Sequence, residues 1–381
     1  MKLLYFIPSL YNPGGMERVL TEKVNYLVDK LGYDITIVTT EQLGRPCFFL
    51  LSDKVKLINL DTDFIKHYNL NYLIKTIAHY KKLRLYKKNV RDILKNINPD
   101  ICISLCGKEI DFLSRLKNGI PKIAEIHFAM NIRKQFLMAR KSGVFWEIVG
   151  NIRTAQLKKS IKKLDRLVVL TSQDKKQWPK SFNNITHIPN PNPLKGDQIS
   201  AVQNKRVITV GKLDAQKGYD LLIEVWSIVA EKHPDWKLDI YGQGEYHDLL
   251  YNKIKYFNLI NKVNLKGISK NIEIEYLDSS IYVMSSRYEG FGMVLLEAMS
   301  CGLPVVSFDC QYGPGELIVD GENGFLIPPN DIKELADKLC FLIENLEIRK
   351  KMSIKAKEYS KKYEISKIMK QWDALFKSIA Y

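Results

Sequence analysis

Nowhere in this chain of 381 residues does an apolar run approach the roughly 18–20 residues needed to span a bilayer, so no stretch of it reads as a transmembrane helix. The opening MKLLYFIPSL imitates a signal peptide, but Pro8 ends its apolar stretch after five residues and no small-residue cleavage site follows. It reads as a first β-strand. Cysteine is scarce: the six residues Cys47, Cys102, Cys106, Cys301, Cys310 and Cys340 are scattered through apolar segments. Cys102 and Cys106 are the closest pair, yet no second pair or histidine cluster completes a zinc site, and reduced buried thiols of a cytoplasmic protein are the expectation. The G-x-x-x-x-G-K-S/T phosphate loop is missing. Acidic charge is short in one half only: residues 1–200 hold 34 Lys+Arg against 17 Asp+Glu, and the remainder holds 58 − 34 = 24 against 42 − 17 = 25. The whole net charge of +16 therefore belongs to the N-terminal half, which points to an anionic partner on one side of the molecule.

What is present fits two domains. Short β-rich runs alternate with longer amphipathic stretches, the pattern of parallel sheets covered by helices. Strand candidates in the first half are Leu3–Ile7, Ile35–Thr39, Val55–Leu60, Ile101–Leu105, Ile123–Ile126 and Leu167–Leu170. A second series follows at Arg206–Val210, Lys237–Tyr241, Val263–Leu265, Ile281–Met284, Val305–Phe308 and Phe325–Ile327. Between them IPNPNPLKGDQIS, from Ile188, reads as a linker. The pattern predicts an α/β protein of two doubly wound, Rossmann-like domains facing a central cleft. Their extents are 1–190 and 201–362, with a linker at 191–200 and a terminal helix at 363–381 that packs back on the first domain.

The chemistry concentrates in Ser285–Asp309, SSRYEGFGMVLLEAMSCGLPVVSFD. Two carboxylates, Glu289 and Glu297, flank a Gly-Phe-Gly turn that opens a helix. Strand, glycine turn and helix N-terminus together expose backbone N–H groups without internal partners, and such a place attracts phosphate. Glu297, one turn into the helix, can accept hydrogen bonds from a sugar diol. A nucleotide-sugar site is the reading. Val210-Gly211-Lys212-Leu213-Asp214-Ala215-Gln216-Lys217-Gly218 leaves the first strand of the second domain, and Lys212 and Lys217 could both neutralise a departing diphosphate. Pro13-Gly14-Gly15-Met16-Glu17-Arg18 is a similar turn after the very first strand. His127 ends a strand of the first domain and is expected at the reacting sugar. Asp61-Thr62-Asp63 has the spacing of a metal-binding pair, but the lysines and the helix N-terminus already supply phosphate neutralisation, so no metal is expected. Asn184-Ile185-Thr186 matches a glycosylation sequon and carries no weight without a secretory signal.

Two dense basic patches carry most of the surplus. One is Tyr80–Lys88. The other runs from Arg133 to Lys163, where Phe136, Leu137, Phe145 and Trp146 are interleaved with Arg140, Lys141, Lys158 and Lys159. Cations mixed with apolar residues suit an anionic lipid surface; no nucleic-acid module is recognisable, and nucleic acid is not expected as a partner.

In this order the motifs GGMERV, EIH, DRLVVLTSQDKKQW, IPNPNP, GKLDAQKG and EGFGMVLLEAMSCGLPVVSFD resemble the retaining glycosyltransferases of family 4, which have the GT-B fold. The resemblance covers essentially the whole chain, and its last motif is the family's E-x7-E. It implies that Glu297 binds the ribose of a nucleotide sugar, that Glu289 lies by the donor sugar, and that the N–H groups of Gly290, Phe291, Gly292, Met293 and Val294 hold sugar and diphosphate. Gly15, Gly211, Lys212 and Lys217 would close on the diphosphate, and His127 matches the acceptor-domain histidine. Lys212 stands where arginine is common in the family, which loses bidentate geometry, and Gly315 stands where a basic residue is frequent. The implied activity is metal-independent, cofactor-free transfer from a nucleotide sugar, a UDP-sugar, with retention. The implied acceptor is a lipid-linked oligosaccharide or surface glycan, at the inner face of the cytoplasmic membrane. A nucleotide-sugar epimerase on the same architecture, which would consume donor without acceptor, stays open, and so does a basic nucleic-acid-binding protein.

Overall fold

The computed structural model of the protein describes residues 1–64, 72–128, 130, 134, 143–194 and 196–380. Arg133, Phe136, Leu137, Arg140 and Lys141, named above, lie outside them. The chain divides into two compact units, Met1–Pro191 with Ile365–Tyr381, and Asn192–Glu364.

In the first unit the strands are β1 (Lys2–Ile7), β2 (Asp34–Thr39), β3 (Lys56–Asn59), β4 (Ile101–Ser104), β5 (Lys122–Ile126), β6 (Arg166–Val169) and β7 (Ile185–His187). They form one sheet in the order β3-β2-β1-β4-β5-β6-β7, with every pairing parallel. Parallel strands covered on both faces read as continuous apolar runs, and residues Leu3 to Ile7 of β1 are all buried. β7, three residues long, is too short to announce itself by periodicity and was not among the expected strands. The sheet order reverses between β1 and β4, the place where open α/β sheets leave a crevice beyond their carboxyl ends.

The helix Ile365–Ala380 belongs to this unit although it comes from the far end of the chain. It buries Ile368, Met369, Trp372, Leu375 and Phe376, an i, i+1, i+4, i+7, i+8 stripe, against the cluster that contains Tyr5, Leu20, Val24 and Leu27. Trp372 covers the fully buried Lys23, whose ammonium lies 3.9 Å from the Trp372 ring and 5.3 Å from the Tyr5 ring.

The second unit holds β8 (Arg206–Val210), β9 (Lys237–Tyr241), β10 (Val263–Gly267), β11 (Ile281–Met284), β12 (Val305–Phe308) and β13 (Gly324–Ile327). Their order is β10-β9-β8-β11-β12-β13, again parallel, and the reversal falls between β8 and β11. The structure draws the boundary differently from the expected linker at 191–200. Ser200 donates its N–H to the Cys301 carbonyl at 2.8 Å, and Lys357 donates to the Gly196 and Ser300 carbonyls at 2.8 Å each. The segment from Asn192 is thus a strap sewn onto the second unit, because its backbone groups find partners there.

Candidate functional site

In the second unit the two loops that leave the β8/β11 reversal are tied together. After β8 the chain turns through residues 211–218; after β11 it runs through residues 285–292. The Ser285 hydroxyl donates to the Lys217 carbonyl at 2.9 Å, and the Arg287 N–H donates to the Gln216 carbonyl at 2.8 Å. The Gln216 amide donates in return to the Tyr288 carbonyl at 3.0 Å. Arg287 forks onto both oxygens of Asp220 at 2.8 and 2.7 Å and reaches the Ala215 carbonyl at 2.9 Å. These cross-links hold Lys217 against Glu289: its ammonium donates to Glu289 Oε1 at 2.7 Å, and the Ser286 hydroxyl donates to the same oxygen at 2.7 Å. Glu289 is buried, and its Oε2 takes no donor among the described residues. The loaded oxygen is a fixed anchor and the other is left for a ligand.

Glycine makes the geometry possible. Gly211 gives Lys217 its passage, since a Cβ at that position would stand 2.7 Å from Lys217 Cε and 2.7 Å from Tyr219 Oη. Gly292 takes φ 85°, the left-handed region, and caps the helix Met293–Ser300. The amides of Gly290, Phe291, Gly292, Met293 and Val294 meet no acceptor among the described residues, so five N–H groups and the positive end of the helix dipole accompany the Glu289 carboxylate. Phe291 is buried edge-on against Tyr363, with ring centroids 5.8 Å apart, which holds the turn from below. Glu297 is buried one turn in and accepts from the Tyr276 hydroxyl at 3.2 Å. Burial, and then the neighbouring Glu297, push the Tyr276 hydroxyl well above its ordinary value, so it stays a donor.

Lys212 is placed differently from Lys217. It stands exposed, 3.7 Å from Asp214, while Lys217 takes Glu289. The structure therefore joins one lysine of the expected pair to the carboxylate and leaves the other in solvent. The Gly315 position lies in the short helix Pro314–Leu317, whose preceding Gly313 packs on the Phe291 carbonyl.

In the first unit Gly15 opens the helix Gly15–Leu31 directly after β1. Glu17 is buried in its first turn beside Asn12, whose amide lies 3.4 Å away; burial raises its carboxyl, and Asn12 and His127 pull the other way. His127, at the end of β5, is also buried, with Nε2 at 3.1 Å from Glu125 Oε1. The other Glu125 oxygen is paired with Lys23. Burial would raise the Glu125 carboxyl, but Lys23 and His127 together outweigh it and hold it at about 2. Lys23, Glu125 and His127 form a buried polar chain with Trp372 over its Lys23 end, and sequence reasoning found only its last member. Glu125 stands in the EIH segment beside His127, but nothing local marks Lys23 or Trp372 as its partners.

Asp61 is exposed, and its Oδ1 accepts the Leu43 N–H at 2.7 Å. Among the described residues no group of three or more His, Cys, Asp or Glu is placed to hold a metal ion. Likewise, no described helix is long and apolar enough to cross a membrane.

Residues 194–359 match the family model described as glycosyl transferases group 1. An uncharacterized glycosyltransferase of Haemophilus influenzae is 32% identical over 98% of this chain and 99% of its own length. The amylovoran biosynthesis glycosyltransferase AmsD of Erwinia amylovora is 29% identical over 98% of each. Among solved structures, Staphylococcus aureus TarM in complex with fondaparinux, alpha-GlcNAc-glycerol and UDP superposes with a TM-score of 0.78 over 98% of this chain and 99% of that one, at 20% identity.

Proposed function

The chain belongs to the glycosyl transferases of group 1 and has their GT-B fold, and from that premise we propose that it moves a glycosyl group from a UDP-sugar to a glycan or lipid-linked glycan acceptor, with retention and without a metal ion. The observation that carries the reading is the Glu289 carboxylate, anchored through one oxygen by Lys217 and Ser286 beside the five unpartnered amides of Gly290–Val294.

In this scheme the amides and the helix dipole hold the diphosphate, Glu297 accepts from the ribose hydroxyls, and Phe291 packs beneath the turn. The bond from anomeric carbon to diphosphate oxygen breaks, its electron pair leaving with the nucleoside diphosphate. The cation Lys217, the helix N-terminus and exposed Lys212 stabilise that departing charge, which is the role a metal would otherwise fill. Glu289 Oε2 faces the positive charge that builds on the sugar. The acceptor oxygen bonds to the anomeric carbon on the face the leaving group vacates, and its proton passes to a diphosphate oxygen. His127, steadied by Glu125, together with Gly15, serves the acceptor side. A UDP donor is supported by the UDP in the TarM complex, and a surface-glycan acceptor by the amylovoran relative.

UDP-sugars are expected to raise the melting temperature by several degrees at concentrations well above Kd, with GDP- and ADP-sugars giving little shift, and EDTA is expected to leave the UDP response intact. A shift from GDP- or ADP-sugars alone would overturn the choice of base. Loss of the shift in EDTA would overturn the metal-free scheme. Consumption of donor without any glycosylated acceptor would favour the epimerase reading.

The reading extends to peripheral membrane attachment through the helix Val144–Ile161. Val144 and Phe145 are 74% and 66% exposed, and Ile148 and Ile152 continue the apolar stripe at helical spacing. Lys158 and Lys159 follow in the last turn. Apolar side chains flanked by cations suit the headgroup region of an anionic bilayer. The protein should sediment with vesicles containing phosphatidylglycerol, and Phe145→Ser with Ile148→Ser should release it several-fold. Sedimentation unaffected by the pair, or absent at every salt concentration, would remove this helix from the account.

A further inference from the structure

Away from the glycine turns, the first unit carries a second built feature. The helix Tyr72–Ile97 and the segment 108–120 enclose two adjoining cavities of about 950 and 500 Å³. Both are lined by Arg91 and Arg115, so they run into each other as one trough along the helix. From His79 to Ile97 the helix spans about 27 Å at 1.5 Å per residue. Seven of the thirteen residues lining the larger cavity are Lys or Arg and one, Asp111, is acidic; Lys95 and Lys117 continue the charge into the smaller one.

Among the described residues none of these nine cations forms an ion pair. Elsewhere on the surface some lysines do find carboxylates, as Lys56 does with Asp34 at 2.9 Å and Lys205 with Asp235; what sets the trough apart is the density of its cations. Lys108 feels Glu41 and lies 3.6 Å from the Phe64 ring; the other like charges lining the wall repel one another, and an anion in the trough relieves that repulsion. The trough is also partly apolar: Leu83 and buried Phe112 line the larger cavity, Leu94 and Ile120 the smaller. Cationic walls over apolar strips suit a sugar chain carrying anionic groups, whose ring faces are apolar and whose substituents are charged. A length of several helical turns suits a chain of repeating charges better than a single headgroup.

We propose that this trough is the binding track for a linear polyanionic glycan, the acceptor chain on which the enzyme works. The proposal rests on the glycosyltransferase reading and names the chemical class of its acceptor. The patch Tyr80–Lys88, read from sequence as a lipid contact, then faces a polymer, and membrane contact is left to the helix Val144–Ile161.

The test is fluorescence anisotropy with labelled oligogalacturonates of two, four and eight units, a neutral dextran of matching length, and vesicles containing phosphatidylglycerol. Affinity should rise steeply from two to eight units, fall with added salt, and be absent for dextran. Arg91→Ala with Arg115→Ala, which removes the two residues common to both cavities, should weaken the eight-unit oligomer about tenfold, each lost charge costing roughly threefold. Lys175→Ala with Lys176→Ala, elsewhere on the same unit, should leave it unchanged. Equal losses in both pairs, or equal affinity for two and eight units, would reduce the trough to general basicity and overturn the proposal. Oligomers that fail to bind while vesicles bind and are released by the Arg91 and Arg115 changes would assign the trough to lipid instead. The UDP-sugar thermal shift, measured on the same samples, separates the two levels. If it persists while the oligomers fail, the track is wrong and the transferase reading stands; if it is absent throughout, the donor reading itself has failed.

Discussion

Replacing Glu289 by glutamine is expected to lower turnover about a thousandfold while leaving the donor-induced thermal shift in place, the size of effect seen when one preorganised electrostatic group is taken from a transition state. Glutamine keeps the shape and can still accept from Ser286, but it no longer balances Lys217, whose ammonium lies 2.7 Å away and whose side chain is largely buried. In the proposed scheme the carboxylate faces charge that exists only while the sugar is in transit, so kcat should fall far more than KM rises. Glu297→Ala should behave in the opposite way. In the proposed scheme its contact is with the bound donor in every state, so KM should rise and the thermal shift should shrink. Normal turnover in both variants would dismiss the site.

The second large effect is on stability. Glu125→Leu leaves the fully buried Lys23 ammonium under Trp372 without a counter-charge. Removing one partner of a buried pair costs about 3–5 kcal/mol, because the remaining charge is still desolvated. Guanidinium unfolding should show the first unit's transition moved to lower denaturant, with that of the second unit unchanged. Lys23→Met added to Glu125→Leu should recover most of the loss, since a matched apolar pair removes the stranded charge. A single variant within about 1 kcal/mol of the parent protein would show that Lys23 finds another partner. The pair also sets an acid limit. The Glu125 carboxyl is held at about 2 against an ordinary 4.5, so its contribution is complete above about 4.5 and is lost as the pH falls towards 2.

How far the sequence speaks depends on whether a feature is local. Glu289, the turn Gly290–Gly292 and Glu297 fall within nine consecutive positions, and the turn and helix that carry them were legible there. So were twelve of the thirteen strands, because parallel strands buried on both faces write continuous apolar runs. What was not legible is held together across distance. Lys23 and Glu125 are 102 residues apart, and Trp372 comes from the other end of the chain. Read singly, a lysine in an amphipathic helix or a tryptophan on an apolar stripe has an ordinary explanation. The lash between residues 215–220 and 285–288 was hidden in the same way: Arg287 reads as a solvated charge until Asp220 is folded against it. The two lysines near Gly211 show the limit from the other side, for equal chemistry five residues apart led to one buried partner and one exposed side chain. For the strap 192–200, proline and asparagine describe the backbone angles and say nothing of the groups on the second unit that receive it.

The helix Ile365–Ala380 has a further consequence for how the molecule is made. A ribosome delivers residues 1–191, then all of the second unit, and only afterwards the helix that covers Lys23. The half synthesised first is thus the half finished last. Throughout that interval the nascent protein carries an open apolar face on Tyr5, Leu20, Val24 and Leu27, with a charge in its midst. A chain released after Glu364 and before this helix would have a later half that can close and an earlier half that cannot.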